Sequence, residues 1–124
     1  MGIAQSGAGA VITLDPAGAI APFEQIRSQL ADGIRAGDLP GGQRLPSIRQ
    51  LAGDLRVAAG TVAKAYAALE EEGLIETSRA RGTRVRAGHA YEDTVRDAAQ
   101  AFVAASAGLT LEQALGAVRA AWDG

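Results

Sequence analysis

The sequence predicts a mainly α-helical protein with one small β hairpin. Residues 45–86 contain two short amphipathic helices, a short hydrophobic strand and an arginine-rich hairpin, in that order. Hydrophobic residues make up 48% of the chain but aromatic residues only 4%, which favours closely packed helices with a core of Leu, Ile, Val and Ala. This order predicts a winged helix-turn-helix over residues 11–88, followed by a two-helix segment over residues 89–124.

The first elements are marked by turn residues and helix-boundary residues. Residues 1–10 are small and polar, and we expect them to be disordered. Residues 11–14 predict a short strand, which the turn sequence Asp-Pro-Ala-Gly ends. Pro22 suits the first turn of an amphipathic helix, and Gly37 is the predicted end of that helix.

The predicted helix-turn-helix and its hairpin follow a loop. Ser47 and Gln50 match a capping box, Ser-x-x-Gln, at the start of the first helix. The chain turns at residues 56–59, and Tyr66 lies on the apolar stripe of the next helix, so we interpret it as a core residue. Residues 79–82 form the tip of the hairpin.

Two further amphipathic helices are predicted after Gly88, the second opened by another capping box, Thr-x-x-Gln. Helices of this size cannot make a core of their own, so they must pack on the first domain, on a partner chain or on both. We expect them to pair two chains about a two-fold axis. The predicted dimerisation residues are Tyr91, Val95, Phe102, Leu111, Leu115, Val118 and Trp122.

Several classes of protein are not indicated by the sequence. The chain has no cysteine, no apolar run of about 18 residues and no convincing signal peptide, so we expect a cytoplasmic protein. We find no nucleophile, base and acid set and no phosphate-binding loop, and the single His89 lacks metal-ligand spacing. The sequence therefore predicts no enzyme activity, no cofactor and no metal.

The charge distribution favours a nucleic-acid partner for the middle of the chain. The formal net charge is −2, but residues 44–86 carry eight Lys and Arg against five acidic residues. The flanking segments are acidic, so the positive charge is confined to the predicted helix-turn-helix and hairpin. A charge difference this small can also arise by chance. It supports a nucleic-acid partner only because the positive charge falls on the predicted helix-turn-helix and hairpin.

A helix-turn-helix places the start of its second helix in the major groove of duplex DNA. Thr61 and Lys64 would lie on the exposed face of that helix, whereas Ala59 and Gly60 offer no side-chain hydrogen bond, so we expect sparse direct readout. The basic hairpin tip suits the minor groove or flanking phosphates. The predicted DNA-binding residues are Arg44, Ser47, Arg49, Ala59, Gly60, Thr61, Lys64, Arg79, Arg81 and Gly82.

These motifs resemble the GntR family of bacterial transcription regulators. The matching segments are PFEQIRSQLADGIRAGDLPGGQRLPS, IRQLAGDLRV, TVAKAYAALEEEGLIE and RGTRV, which ends at Val85. The two-helix tail resembles the YtrA-type branch, whose members carry a small helical dimerisation segment. The resemblance implies DNA-contacting roles for Arg49 and Thr61, and it places Arg79 and Ala80 at the tip of the wing.

The chain departs from the family pattern at three positions. Ala58 stands where a capping Ser, Thr or Asn is common, which weakens the helix by roughly 1 kcal/mol. Ala59 stands where many relatives carry Arg, and Ala80 replaces the usual wing glycine. We therefore expect specificity to depend on Arg49, the wing and the shape of the DNA.

The resemblance and the motifs together predict a homodimeric repressor that reads an inverted repeat in double-stranded DNA, with a transporter operon as its implied target. A small-molecule effector could bind near Tyr91, Phe102 and Trp122, although core packing is the simpler role for these residues. The alternative is a winged module that binds a protein instead of DNA. The negative net charge and the few polar residues at the start of the recognition helix favour this alternative slightly.

Overall fold

The computed structural model describes residues 2–5 and 11–122, and the chain divides after Tyr91 into two units. The first unit contains β1 (Gly2–Gln5), β2 (Val11–Leu14), α1 (Pro22–Ala36), α2 (Ile48–Leu55), α3 (Ala59–Glu71), β3 (Ile75–Ser78) and β4 (Gly82–Val85); the second contains α4 (Asp93–Ala105) and α5 (Leu111–Ala121). The predicted fold class, mainly α with a small β wing, is confirmed.

The core of the first unit lies where α1 and α2 pack on α3. Ile26 and Leu30 of α1, Leu51 of α2, and Val62 and Leu69 of α3 are each at most 1% exposed. These are stripe positions spaced by three and four residues, so each helix buries one face. Full burial of each such side chain contributes about 1.5–3 kcal/mol to stability.

Helix α1 begins and ends at the predicted residues. Pro22 is its first residue, where a missing N–H leaves no helical hydrogen bond unmade. Gly37 adopts the left-handed conformation with φ of 83°, and its N–H donates to the carbonyl of Ile34 at 3.2 Å. Glycine adopts the left-handed backbone conformation more easily than other residues, which explains why this helix ends just before Gly37.

A small N-terminal sheet precedes α1. Strand β1 pairs antiparallel with β2, so that Gly2 lies opposite Leu14. The expected disorder of residues 1–10 is therefore wrong for residues 2–5; Met1 and residues 6–10 lie outside the described part of the chain. The amino-acid composition of β1 does not indicate a strand, because β1 is held by its hydrogen bonds to β2. Strand β2 is in turn anchored by Ile12 and Leu14, which are buried in the core.

Two glutamine side chains of α1 hold β2 and the residue after it through hydrogen bonds to their backbone groups. Gln29 accepts a hydrogen bond from the N–H of Thr13 (2.9 Å) and donates one to its carbonyl (2.7 Å). Gln25 makes the same pair of bonds with Asp15, at 2.8 and 2.7 Å. The glutamine amides thus satisfy backbone N–H and carbonyl groups that a neighbouring strand would otherwise bind.

The wing is a two-stranded sheet extended by a short β-bridge. Strands β3 and β4 pair antiparallel, and residues 42–45, which we call the third-strand segment, pair with the other edge of β4. The N–H of Leu45 donates to the carbonyl of Thr83, and the N–H of Val85 donates to the carbonyl of Gln43, both at 2.9 Å. The start of α2 is thereby fixed to the wing.

The second unit has no buried residue in either helix. Its predicted capping box is confirmed: Gln113 N–H donates to Thr110 Oγ1 (3.1 Å), and Thr110 N–H donates to Gln113 Oε1 (3.0 Å). Within the described residues, no helix is both long and apolar enough to cross a membrane.

Candidate nucleic-acid interface

Helix α2 presents Arg49 at its N-terminal end. The hydroxyl of Ser47 accepts a hydrogen bond from the N–H of Gln50 at 3.1 Å, which is the serine half of the predicted capping box. Arg49 is exposed, as a residue predicted to contact DNA must be. The helix ends at Leu55, and the next residue, Arg56, is left-handed with φ of 58° and turns the chain toward α3.

The N-terminal end of α3 is open to solvent. Ala59 and Gly60 are exposed, Thr61 is half-buried, and a Cβ added to Gly60 would meet no other atom within 4 Å. Ala58 occupies the cap position without a side-chain hydrogen bond, so no cap side chain covers the first N–H groups of the helix. Such a helix start can approach a phosphate or a base edge closely.

Lys64 is exposed but makes an intramolecular contact that the sequence did not indicate. Its Nζ lies 4.0 Å from the centroid of the Phe23 ring on α1. A cation over an aromatic face gains about 0.5–1 kcal/mol at an exposed site. A DNA phosphate would therefore have to compete with Phe23 for this ammonium group.

Tyr66 joins α3 to the chain just before α2. Its hydroxyl donates to the carbonyl of Pro46 at 2.8 Å, and its ring is buried in the core. This burial raises the pKa of Tyr66 well above its usual value, so the hydroxyl remains a donor. The interpretation of Tyr66 as a core residue is confirmed, and the residue also fixes the spacing between the two helices.

The wing carries its exposed arginines at the tip. Arg79 and Arg81 lie in the turn between β3 and β4, and Gly82 starts β4 with φ of 70°. A Cβ on Gly82 would lie 3.3 Å from Nε of Arg44, so the Arg44 side chain packs against this glycine. The structure therefore places Arg44 beside the wing tip.

Arg44 and Ser47 also border one polar concavity of about 410 Å³. It lies between the third-strand segment and the start of α2, and its remaining lining residues are Gln43, Leu45, Pro46 and Gln50. Two of the predicted DNA-binding residues, from the wing side and from the helix side, thus share one surface depression.

The positive charges of this surface have no acidic partners among residues 2–5 and 11–122. The ion pairs there involve other arginines: Arg27 with Glu24 (2.6 Å) and Glu72 (3.1 Å), Arg96 with Asp93, and Arg119 with Glu112 (3.6 Å). Hydrogen bonding to Arg27 holds the pKa of Glu24 below its usual value. Arg44, Arg49, Arg79 and Arg81 are left un-neutralised, which makes this the cationic face of the first unit.

The two-helix unit has a different surface. Six of the seven predicted dimerisation residues line one groove of about 720 Å³ between α4 and α5: Val95, Phe102, Leu111, Leu115, Val118 and Trp122. Leu111 and Trp122 are each 75% exposed. The seventh, Tyr91, belongs to the first unit, where its N–H donates to the carbonyl of Arg35 at 2.7 Å.

Phe102 and Trp122, which were also predicted to border an effector site, both line this groove. In the part of the chain that the structure describes, no group of three or more His, Cys, Asp or Glu side chains is arranged to hold a metal ion.

Comparison with known proteins identifies the first unit. Residues 22–85 match the model of the bacterial regulatory proteins of the gntR family. The chain is 44% identical over 95 residues to the HTH-type transcriptional regulator Rv1152 of Mycobacterium tuberculosis, covering 75% of this chain and 78% of that one. It is 41% identical over 75 residues to the HTH-type transcriptional repressor YtrA of Bacillus subtilis, covering 60% of this chain and 58% of the repressor.

A solved structure is similar over most of the fold. YtrA from Sulfolobus acidocaldarius, a GntR-family transcription factor, superposes with a TM-score of 0.59 and 33% identity, covering 75% of this chain and 97% of that one. These relatives are transcription regulators, in agreement with the prediction that the chain is not an enzyme. The chain belongs to the GntR family of bacterial transcription regulators, in its YtrA-type branch, and carries the DNA-binding domain of that family.

Proposed function

We propose that the protein is a homodimeric repressor that binds an inverted repeat in double-stranded DNA. The observation that carries this proposal is the open N-terminal end of α3, accompanied by four arginines that have no acidic partner among the described residues. A phosphate-lined duplex is the partner whose charge and shape fit such a surface.

Each part of the surface has a distinct role in this proposal. The start of α3 enters the major groove, where the small Ala59 and Gly60 permit close approach and Thr61 donates a hydrogen bond. Arg49 reaches a phosphate or a guanine, and the tip residues Arg79 and Arg81 enter the minor groove or contact flanking phosphates. Because α3 offers few polar side chains, DNA shape supplies a large part of the specificity.

The two-helix unit supplies the dimer. Its apolar groove exposes large side chains that a second copy would cover, as an exposed apolar patch of this kind usually requires. A two-fold pair then presents two recognition helices about 34–36 Å apart, one helical turn of DNA. The dimerisation residues in this proposal are those that line the groove, with Tyr91 at the start of the segment.

The proposed biological role is supported by the relatives and by the family resemblance. The Bacillus subtilis relative is named a repressor, which supports repression here. The YtrA-type resemblance supports a transporter operon as the target, and a protein that reads DNA acts in the cytoplasm. An effector bound in the groove of the two-helix unit would alter dimerisation and hence DNA affinity.

Two observations favour a second function, binding of a partner protein. The net charge is −2, and residues 58–60 at the start of α3 carry no polar side chain. A winged module that binds a partner protein would need neither basic charge nor hydrogen-bonding groups at that helix.

The experiment that separates these functions is selection from a random duplex pool with the purified protein at two salt concentrations. We expect an enriched inverted repeat that is bound less tightly at high salt, because Lys and Arg contacts release counterions from phosphates. An enriched single half-site would contradict the dimer, and the absence of any enriched sequence would contradict DNA reading and support the second function.

Substitution of Arg49 with alanine tests the proposed contact. We expect Arg49→Ala to weaken operator binding about tenfold or more, since a good arginine contact to a base supplies about 1–3 kcal/mol of discrimination. The matched control is Arg119→Ala, which removes the same charge from the exposed surface of α5. Equal losses in both variants, with unchanged thermal unfolding, would mean that net charge and not a contact at Arg49 governs binding.

A further inference from the structure

Arg84 differs from the other arginines of the wing because its side chain is committed within the protein. Its Nε donates to the carbonyl of Arg81 at 3.0 Å, and its Nη1 donates to the carbonyl of Gly42, also at 3.0 Å. The side chain is half-buried, whereas Arg79 and Arg81 are exposed. One guanidinium therefore bridges the tip of the wing and the third-strand segment.

The backbone of Arg81 is held from both sides. Its N–H donates to the hydroxyl of Ser78 at 3.0 Å, and its carbonyl accepts the hydrogen bond from Arg84. The other end of the bridge is also fixed, since the N–H of Gly42 donates to the carbonyl of Val85 at 2.8 Å. The tip is thus ordered by specific hydrogen bonds at both ends of the bridge.

We propose that Arg84 is a positioning residue that holds the wing tip in the shape that presents Arg79 and Arg81 to DNA. This inference rests on the proposed DNA-binding function. A pre-ordered tip loses less conformational freedom on binding, which raises affinity without any new contact. The Arg84 guanidinium itself is occupied by two carbonyls and does not contact DNA.

Two substitutions separate the bridge from the charge. Arg84→Lys keeps the positive charge but lacks the planar guanidinium needed to hold both carbonyls at once. Arg86→Ala removes a positive charge two residues along the chain, where the side chain is exposed, and leaves the bridge intact. A charge effect predicts loss in the second variant, and a positioning effect predicts loss in the first.

The first measurement needs no DNA. We expect amide hydrogen exchange at Arg81 to be about tenfold faster in Arg84→Lys than in the wild type, and unchanged in Arg86→Ala. Thermal unfolding of each variant checks that the fold is retained. Unchanged hydrogen exchange at Arg81 in a folded Arg84→Lys protein would contradict the proposal that Arg84 orders the wing tip.

The second measurement is a double-mutant cycle with the selected operator. We expect Arg84→Lys to weaken binding about tenfold, equivalent to roughly 1.4 kcal/mol, in the wild-type wing and not at all when Arg79 and Arg81 are both alanine. Equal losses in both backgrounds would mean that Arg84 contacts DNA directly, which overturns the proposal. If the wild type binds no duplex, the proposed function fails, and the exchange measurement alone decides the role of the bridge.

Discussion

The two units of the chain differ in how much of their apolar surface they bury. In the first unit, 18 hydrophobic residues form one buried cluster that joins the helices to strands of both sheets. In the second unit, α4 and α5 bury none of their residues, although their stripes are equally regular. Amphipathic periodicity therefore predicts a helix but does not say whether the surface that packs on it lies in the same chain.

Removing the second unit is the most severe test of this comparison. We expect a chain that ends at Tyr91 to remain folded and monomeric and to bind the operator about 100-fold to 10,000-fold more weakly, because two linked half-sites gain that much from avidity. Sedimentation and a binding titration measure both effects. A truncated chain that still dimerises and binds tightly would contradict the assignment of dimerisation to α4 and α5.

A leucine-to-alanine substitution in each unit should have different consequences for stability. Leu69→Ala in α3 should lower the free energy of unfolding by about 2–5 kcal/mol, since Leu69 is fully buried and leaves a cavity. Leu115→Ala in α5, where the side chain is 44% exposed, should change stability mainly through dimerisation.

Thermal unfolding over a range of protein concentrations distinguishes the two effects. The change in Tm caused by Leu115→Ala should depend on concentration, whereas that of Leu69→Ala should be similar at all concentrations. A concentration-independent change for Leu115→Ala would mean that α4 and α5 are stabilised within one chain.

The smallest expected effect concerns the helix caps. Helix α5 is capped by Thr110, but α3 begins at Ala58, whose φ of −65° and ψ of 145° suit a capping side chain. We expect Ala58→Ser to stabilise the first unit by about 0.5–1 kcal/mol in denaturant unfolding, and Thr110→Ala to remove a similar amount from α5. No gain from Ala58→Ser would show that the open start of α3 is already satisfied by water.

Much of the fold was predictable because its signals are local. Pro22 and Gly37 bound α1 as expected, and the hairpin residues around Gly82 form the wing. The third-strand segment and β1 were not predicted as strands, because each is held by hydrogen bonds to residues outside its own segment, and nothing in its composition reports them.

The sequence indicated which residues of the candidate interface would be exposed, but not which of their side chains make contacts within the protein. Arg49, Arg79 and Arg81 are exposed as expected. The engagement of Lys64 with Phe23, and of Arg84 with two carbonyls, depends on which side chains the tertiary fold brings near. A pattern of charges along a sequence does not distinguish an arginine available to a ligand from one that holds the scaffold.

The third-strand segment also has a consequence for the order in which the protein folds. The bond between Arg84 and Gly42 joins residues 42 positions apart, with α2 and α3 inside the closed loop. Closing such a loop in a flexible chain carries an entropic penalty of about 3 kcal/mol, which shrinks once the enclosed helices have formed. We therefore expect the helices to assemble first and the wing to close last. During synthesis the recognition helix would form before the wing, and during unfolding it would persist after the wing has opened.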